Sequence, residues 1–457
     1  MREYKIPIAM TIAGSDSGGG AGIEADLKTF AALGVHGTVV LTAITAQNTY
    51  GVFAIQDVDL DVIEKQIDVV LEDIGINAAK TGMLHRVEVI ELVAKKVKQY
   101  GFPLIVDPVM IAKSGARLLK IEAEEAMKKI LTPIATVITP NVMEAEVLSN
   151  IKIKTIEDMK KAAKIIAKLG PKAVVIKGGH IESGEKAIDI VYVDGEIKEF
   201  INKKIETKNT HGTGCSFSAA ITAEIAKGKS IIEAIKIAKE FITIAIEYGL
   251  SIGKGFGPVN PNAWIHIPAE KYLILENISK AIEILESHKE ISELIPEVQS
   301  NIVMALPKPY SKTIKDVAGI PGRIVKFKDR VKAVGNPEFG ASSHVARMLL
   351  KVMEYDHNIR AAMNIKYSPE ILEICKKLGF NISSFNREEE PEEIKSIEGA
   401  TLQWGVEYAI KKIGKVPDII YDLGEKGKEP MIRIFDKDAI SVAKKVVTIA
   451  IELKKMR

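Results

Sequence analysis

Thr210-His211-Gly212-Thr213-Gly214-Cys215 is the segment of this sequence best suited to chemistry. Two glycines at alternate positions let a backbone approach a ligand closely, and the helical pattern that follows puts free N–H groups at its start. Such a start favours an anion, and the helix dipole adds about 0.3–1 kcal/mol for negative charge. Phosphoryl transfer needs donors of this kind, because charge spreads over the oxygens of the moving group. Gly212, Thr213 and Gly214 are therefore candidates to hold phosphate. Cys215 shares the helix start, where a thiol pKa is expected to fall toward neutrality, leaving a thiolate able to take a proton from an attacking hydroxyl. The competing reading for Cys215 is a buried structural cysteine.

Four more groups of residues suit the same chemistry. Asp107 opens Asp107-Pro108-Val109-Met110, and Asn141 and Glu144 lie in Thr139-Pro140-Asn141-Val142-Met143-Glu144. Acids at strand ends can hold Mg²⁺ beside nucleotide phosphates, so Asp107 and Glu144 are the metal candidates; loop capping is the alternative. Lys177, in Lys177-Gly178-Gly179-His180, can neutralise phosphate charge, although a surface lysine is the plainer reading. His180 is read as a structural or rim histidine. The run from Gly14 to Gly22 lacks the Gly-Lys-Ser/Thr ending of a P-loop and does not fit Gly-x-Gly-x-x-Gly. It is read as a loop that closes over a small substrate, with Gly14 and Gly20 against that substrate and Asp26 just beyond. Gln47 offers a donor and an acceptor together, which suits the edge of an aminopyrimidine.

The elements that must position these residues are short apolar runs alternating with amphipathic stretches. Strands are expected at 8–13, 39–45, 104–106, 137–139 and 173–176, and helices at 88–100, 156–169 and 231–248. The alternation predicts βαβ units and a mostly parallel sheet covered on both faces, with ligands beyond the carboxyl ends of its strands. A Gly- and Pro-rich stretch at 253–268 has no periodicity and is read as a linker, dividing the chain into domains 1–268 and 269–457. A helix is expected at 272–285. The second domain reads as a smaller α/β unit with strands at 302–306, 361–365, 419–421 and 431–435, a helix at 345–352 and a solvated acidic loop at 387–393.

With 457 residues, two or three domains are expected. A net charge of +3 with both signs mixed gives no electrostatic reason to expect nucleic acid or an anionic membrane as partner. Two cysteines cannot build a disulfide framework, and the start of the chain shows neither a signal-peptide pattern nor a membrane-length apolar run. A cytoplasmic protein is expected, and a homo-oligomer.

Ala13-Gly14-Ser15-Asp16, Gly19-Gly20-Ala21-Gly22, Ala25-Asp26-Leu27-Lys28-Thr29-Phe30, Thr45-Ala46-Gln47-Asn48-Thr49, Lys80-Thr81-Gly82-Met83-Leu84, Asp107-Pro108-Val109-Met110, Lys177-Gly178-Gly179-His180 and the segment 209–215 occur in register over about 6–264. Together they resemble the hydroxymethylpyrimidine/phosphomethylpyrimidine kinases of the ribokinase-like superfamily. The resemblance implies a doubly wound, mostly parallel sheet and two ATP-dependent steps. The hydroxymethyl group of 4-amino-5-hydroxymethyl-2-methylpyrimidine is phosphorylated, and the monophosphate then becomes the diphosphate. It also implies that Gln47 pairs with the pyrimidine, with Asp26, Met83 and Val109 nearby. Lys177 would contact the transferring phosphate, Gly212 and Gly214 would frame the anion hole, and Cys215 would stand where many sugar kinases of the superfamily have a catalytic aspartate. Asn141 and Glu144 match an Asn-x-x-Glu pattern associated with Mg²⁺ and phosphate.

In the second domain, Arg323 follows the turn Gly319-Ile320-Pro321-Gly322 and suits bidentate phosphate contact. Ser342, Ser343 and His344 lead into a helix, where the serines can cap it or bind phosphate oxygen. Asp422 and Glu429 bound the loop between two strands. A surface Arg323 and a packed His344 are the plainer alternatives. The region 300–451 resembles the archaeal type of thiamine phosphate synthase through residues 301–308, 320–323, 335–347, 360–364 and 422–430. That resemblance implies coupling of the pyrimidine diphosphate to thiazole phosphate with release of diphosphate, and assigns Arg323 and His344 to the departing group. Ser342, Ser343, Asp422 and Glu429 are further candidates. Two alternatives stay open: a non-catalytic thiamine-phosphate-sensing tail, and a kinase acting on a pyridoxal-type substrate.

Overall fold

The computed structural model describes residues 5–110, 119, 121–179, 181, 184–397 and 399–457; His180 lies outside them. The chain forms two compact units, 1–265 and 266–457. The helix Ala263–Ser287 begins ahead of the expected linker end, with Pro268 inside it. One proline removes a single intrahelical bond, which a helix of 25 residues absorbs.

In the first unit the strands are β1 (Ile8–Ala13), β2 (His36–Leu41), β3 (Ala43–Gln47), β4 (Val52–Asp57), β5 (Ala78–Thr81), β6 (Leu104–Val106), β7 (Val137–Ile138), β8 (Ala173–Ile176), β9 (Lys186–Val193) and β10 (Glu196–Lys203). Eight of them form one sheet in the order β10-β9-β8-β7-β6-β5-β1-β2, parallel from β8 to β2 and antiparallel at the β9–β10 edge. Side chains alternate along each strand, so neighbours face opposite layers. Met10, Leu104, Val106, Ile138 and Val174 enter one core; Ala9, Ile105, Val137, Ala173 and Val175 enter another. A sheet buried on both faces reads as continuous apolar runs, which is why those strands are visible in the sequence.

The run expected as one strand at 39–45 is two. The chain leaves the sheet at Thr42, whose hydroxyl donates to the Met83 carbonyl (2.7 Å), and starts the hairpin β3–β4. Hydrophobicity does not fall at this point, so pattern alone carries the strand through the turn.

The second unit adds β11 (Ile302–Ala305), β12 (Val317–Gly319), β13 (Ile324–Phe327), β14 (Arg330–Ala333), β15 (Glu338–Phe339), β16 (Ala361–Lys366), β17 (Ile382–Ser384), β18 (Ile419–Asp422) and β19 (Met431–Asp436). Its seven-stranded sheet runs β15-β12-β11-β16-β19-β18-β17 and is antiparallel except for β17–β18. The helices His344–Tyr355 and Thr401–Ile413 cover one face through Met348, Leu349, Val352, Val406 and Ala409. The region 387–393 is exposed at 388, 389 and 391–393, as expected of a solvated segment, but it forms the short helices Arg387–Glu389 and Glu392–Lys395. Arg387 and Glu390 are buried there, because Arg387 turns inward to Asp422.

Candidate active sites

In the first unit, the helix Thr213–Ala226 packs across β1, β5 and β6 and starts at Gly212, whose φ is +76°. A Cβ at Gly212 would overlap the Gly20 carbonyl oxygen, and one at Gly20 would overlap the His211 ring. The two glycine-rich loops therefore meet through positions that admit no side chain. Helix geometry leaves the amides of Gly214 and Cys215 without intrahelical partners. The Thr213 hydroxyl donates to the Thr210 carbonyl (2.7 Å), so of the expected phosphate donors its side chain is already engaged.

Charged groups from the strand ends collect beside this helix start. A Cβ on Gly214 would stand 3.2 Å from Lys177 Nζ and 3.5 Å from Asp107 Oδ2. Lys177 donates to Asp107 (3.1 Å), and Ser218 and Thr139 also donate to that carboxylate (3.3 and 3.4 Å). Burial pulls Lys177 down, but Asp107 and Glu144 outweigh it and hold the ammonium above its ordinary value. Lys177 is thus largely buried against Asp107 and is not a solvated surface lysine. Glu144 and Asn141 form a capping box, Glu144 accepting from the Asn141 amide (2.7 Å) and Asn141 from the Glu144 amide (3.0 Å). Burial, opposed by Lys177 and helped by Asp107, pushes Glu144 up to about 7.

Cys215 corrects one expectation. The thiol keeps some accessible surface, yet burial of its surroundings pushes it up to about 11, with Lys80 opposing. The helix start does not make it a thiolate near neutrality, because desolvation outweighs the dipole. Asp26 corrects another. It has no accessible surface, Lys80 donates to both its oxygens (2.9 and 3.0 Å), and Thr11 donates to one (2.6 Å). It is buried as the partner of Lys80, with no surface open to a ligand in this structure.

Two of the residues expected near the pyrimidine, Met83 and Val109, come together. Met83 and Ala43 form a small apolar cluster with Val52, Ile55 and Val109, and a Cβ on Gly14 would overlap the Met83 methyl. Gln47 lies at the end of β3 with its amide 3.2 Å from His211 Nε2. The same ring nitrogen lies 2.8 Å from Asp16 Oδ2, which also accepts from the Gly20 and Ala21 amides (3.0 and 2.8 Å). Burial pushes Asp16 up, but His211 and the amides of Gly18 and Ala21 more than compensate and hold it below the ordinary carboxylate range.

In the second unit a cavity of about 490 Å³ is lined by Arg323, Ser342, Ser343 and His344, among others. Arg323 has φ +70° and donates to the Val298 carbonyl. Ser343 is the N-cap of His344–Tyr355 without a side-chain cap bond, and His344 is exposed rather than packed. Asp422 and Glu429 are not at the cavity. Asp422 is fully buried and accepts from Arg387 Nε (2.7 Å) and Arg433 Nη1 (2.6 Å). Glu429 accepts from the amides of Glu297 and Val298 (3.1 Å each) and so holds the segment beside Arg323.

Residues 16–260 match the family model described as phosphomethylpyrimidine kinase, and 277–448 match thiamine-phosphate synthase ThiN. The bifunctional thiamine biosynthesis protein ThiDN of Methanocaldococcus jannaschii is 36% identical over 97% of this chain and 98% of its own length. This chain belongs to that bifunctional family. The hydroxymethylpyrimidine/phosphomethylpyrimidine kinase of Bacillus subtilis is 49% identical over 57% of the chain and 95% of its own length. Among solved structures, an ADP complex of Bacillus subtilis pyridoxal kinase matches with a TM-score of 0.54 at 44% identity, over 57% of this chain and 98% of that one. The fold of the first unit is that of these ribokinase-like enzymes. The pyridoxal kinase of Staphylococcus aureus, solved with AMP-PCP and pyridoxal, matches equally well in fold, at 40% identity. No helix among the described residues is long and apolar enough to cross a membrane.

Several residues of both sites were given no role from sequence. Asp16 and His211 join the two glycine-rich loops, and Lys80 lies under Cys215. Arg433 lines the second cavity on β19. For Lys80 and Arg433 a signal existed: each is a single cation inside an otherwise apolar strand, a placement that costs free energy unless it is paired.

Proposed function

We propose that the first unit phosphorylates the hydroxymethylpyrimidine hydroxyl and then its monophosphate, each from ATP, at the start of the helix Thr213–Ala226. The chain is an enzyme of thiamine biosynthesis, kinase and thiamine-phosphate synthase in one polypeptide. The convergence of Gly214, Lys177 and Asp107 at a helix start carries the residue-level reading. In the first step the substrate oxygen forms a bond to the γ-phosphorus, and the bond from that phosphorus to the bridging oxygen breaks, ADP leaving with the electron pair. The amides of Gly214 and Cys215 and the Lys177 ammonium stabilise the charge on the moving group. The hydroxyl proton passes to the thiolate form of Cys215, the minor form at neutrality. Gln47 and the Met83–Val109 wall orient the ring.

Mg²⁺ fits the donor set. Among the described residues no three acidic, His or Cys groups could hold a metal by themselves, but Asp107 and Glu144 stand close enough for one charge to raise the other. Two carboxylates completed by phosphate oxygens is a common arrangement for this ion. When bound, it neutralises the phosphate charge; Asp107 and Glu144 would hold it, directly or through water.

In the second unit the thiazole nitrogen forms the new bond to the pyrimidine methylene, and diphosphate departs with the electrons of the broken C–O bond. No proton or oxidant is needed. Arg323 and His344 stabilise the departing charge. Incubation of the purified chain with hydroxymethylpyrimidine, ATP, Mg²⁺ and thiazole phosphate is expected to yield thiamine phosphate. Accumulation of uncoupled pyrimidine diphosphate would instead make the tail a sensing module. The fold match to pyridoxal kinases makes pyridoxal the competing substrate to run alongside. We read the chain as a cytoplasmic homo-oligomer, with Ile44, Tyr50 and Phe53 exposed on the β3–β4 hairpin supporting an assembly face; sedimentation of the purified protein checks this.

A further inference from the structure

We propose that Arg433 binds a phosphate group at the floor of the second unit's cavity, held in place by Asp422. This rests on the synthase reading of that cavity. Arg433 lies on β19, an interior strand, opposite Asn364 on β16. Alternation places it on the same face as Phe435, which packs in the core with Met348 and Leu349 of His344–Tyr355. The guanidinium therefore stands under the start of that helix, where Ser342, Ser343 and His344 line the same cavity.

A guanidinium 5% exposed in the middle of a sheet is costly without compensation. Asp422 supplies part of it. Burial pushes the Asp422 carboxyl up, but Arg433 and Arg387 outweigh burial and hold it below its ordinary range. One carboxylate thus serves two arginines, and both guanidiniums lie over the Phe385 ring (5.9 Å for Arg387, 5.6 Å for Arg433). Within this trio positive charge is in excess. Only Nη1 of Arg433 is engaged, and its other N–H groups make no hydrogen bond to any described residue. The two asparagines on the cavity wall are occupied: Asn301 bonds Ile320 in both directions, and Asn364 bonds Gln299 and Asn301. What faces the cavity unsatisfied is a planar cationic fork beside a helix start, which matches the oxygens of a phosphate.

Both the leaving diphosphate and the thiazole phosphate carry that chemistry. Calorimetric titration of the full-length protein with inorganic diphosphate and, separately, with thiazole phosphate distinguishes them. Arg433→Lys can still pair with Asp422 but lacks the fork, and is expected to weaken one of the two anions by about 10-fold. Arg433→Met is expected to weaken the same anion by on the order of 10²-fold. If Arg433→Met does not fold, judged by its thermal melt, Arg433→Lys decides alone. Wild-type affinity for both anions in Arg433→Lys overturns the proposal, and if wild type still forms thiamine phosphate the synthase reading survives it. A wild-type protein that binds neither anion and forms no thiamine phosphate overturns the synthase reading and this proposal with it.

Discussion

Both units hold cations against buried carboxylates at their candidate sites, but they do so differently. In the first, each lysine hydrogen-bonds one acid, Lys177 to Asp107 and Lys80 to Asp26, and backbone amides stand at a glycine-rich helix start beside them. In the second, two arginines share Asp422, and of the two Arg433 lines the cavity. A moving phosphoryl group crosses a gap, so compact ammonium charges and close-approaching backbone suit it. A departing diphosphate needs a fixed, forked set of donors, which guanidinium provides. The contrast also explains why glycines crowd the first site and are sparse at the second: the first brings two backbones together, whereas the second reaches in with long side chains.

Cys215 gives the sharpest way to break this comparison. Cys215→Ala is expected to lower phosphorylation of the hydroxymethyl group by about 10²–10⁴-fold. The second phosphorylation should suffer far less, because its nucleophile is a phosphate oxygen already largely deprotonated at pH 7. Separate steady-state assays of the two steps test this, and equal losses in both would remove Cys215 as the base. With the thiol up near 11, the active form is the minor one at neutrality. The first step should therefore accelerate about tenfold per pH unit from pH 7 toward 10, whereas a flat profile would show that the thiolate is not required.

Lys177→Met tests the paired-lysine half of the contrast. It should lower both phosphorylations by about 10²–10³-fold, the usual loss for one preorganised charge donor, and leave coupling of supplied pyrimidine diphosphate intact. Asp422→Asn addresses the other unit. With its anchor neutralised, Arg433 should lose its fixed orientation, and coupling should fall by on the order of 10–10²-fold with kinase turnover unchanged; a normal coupling rate would show that the arginines need no anchor. The smallest effect is expected at Glu144, which sits near 7. Its carboxylate is charged above that pH and neutral below it, so the Mg²⁺ requirement should rise as pH falls through 7. Glu144→Gln should raise the Mg²⁺ needed for half-maximal rate by about tenfold at pH 8 and remove that pH dependence.

Much of this was legible from residue order. β1, β6 and β8 stand where their apolar runs placed them, because a strand buried on both faces tolerates few polar residues. The longer strands β9 and β10 were not read from the sequence; β10, at the sheet edge, alternates polar and apolar residues and so shows no continuous apolar run. The glycines at 20, 212 and 214 were also readable, although the reason for Gly20 and Gly212 was not: each excludes a side chain because the other loop lies against it.

By itself, the sequence determined that two α/β units follow one another, and it singled out the helix start after Gly212 and Cys215, Lys177, Arg323 and His344 as candidates for chemistry. Only the tertiary structure decided what state those groups are in. Whether a thiol is ionised, or whether Asp26 and Asp422 touch a ligand or anchor a cation, depends on desolvation and on partners 54 and 11 residues away along the chain. Those quantities arise when distant segments pack, and no local pattern encodes them.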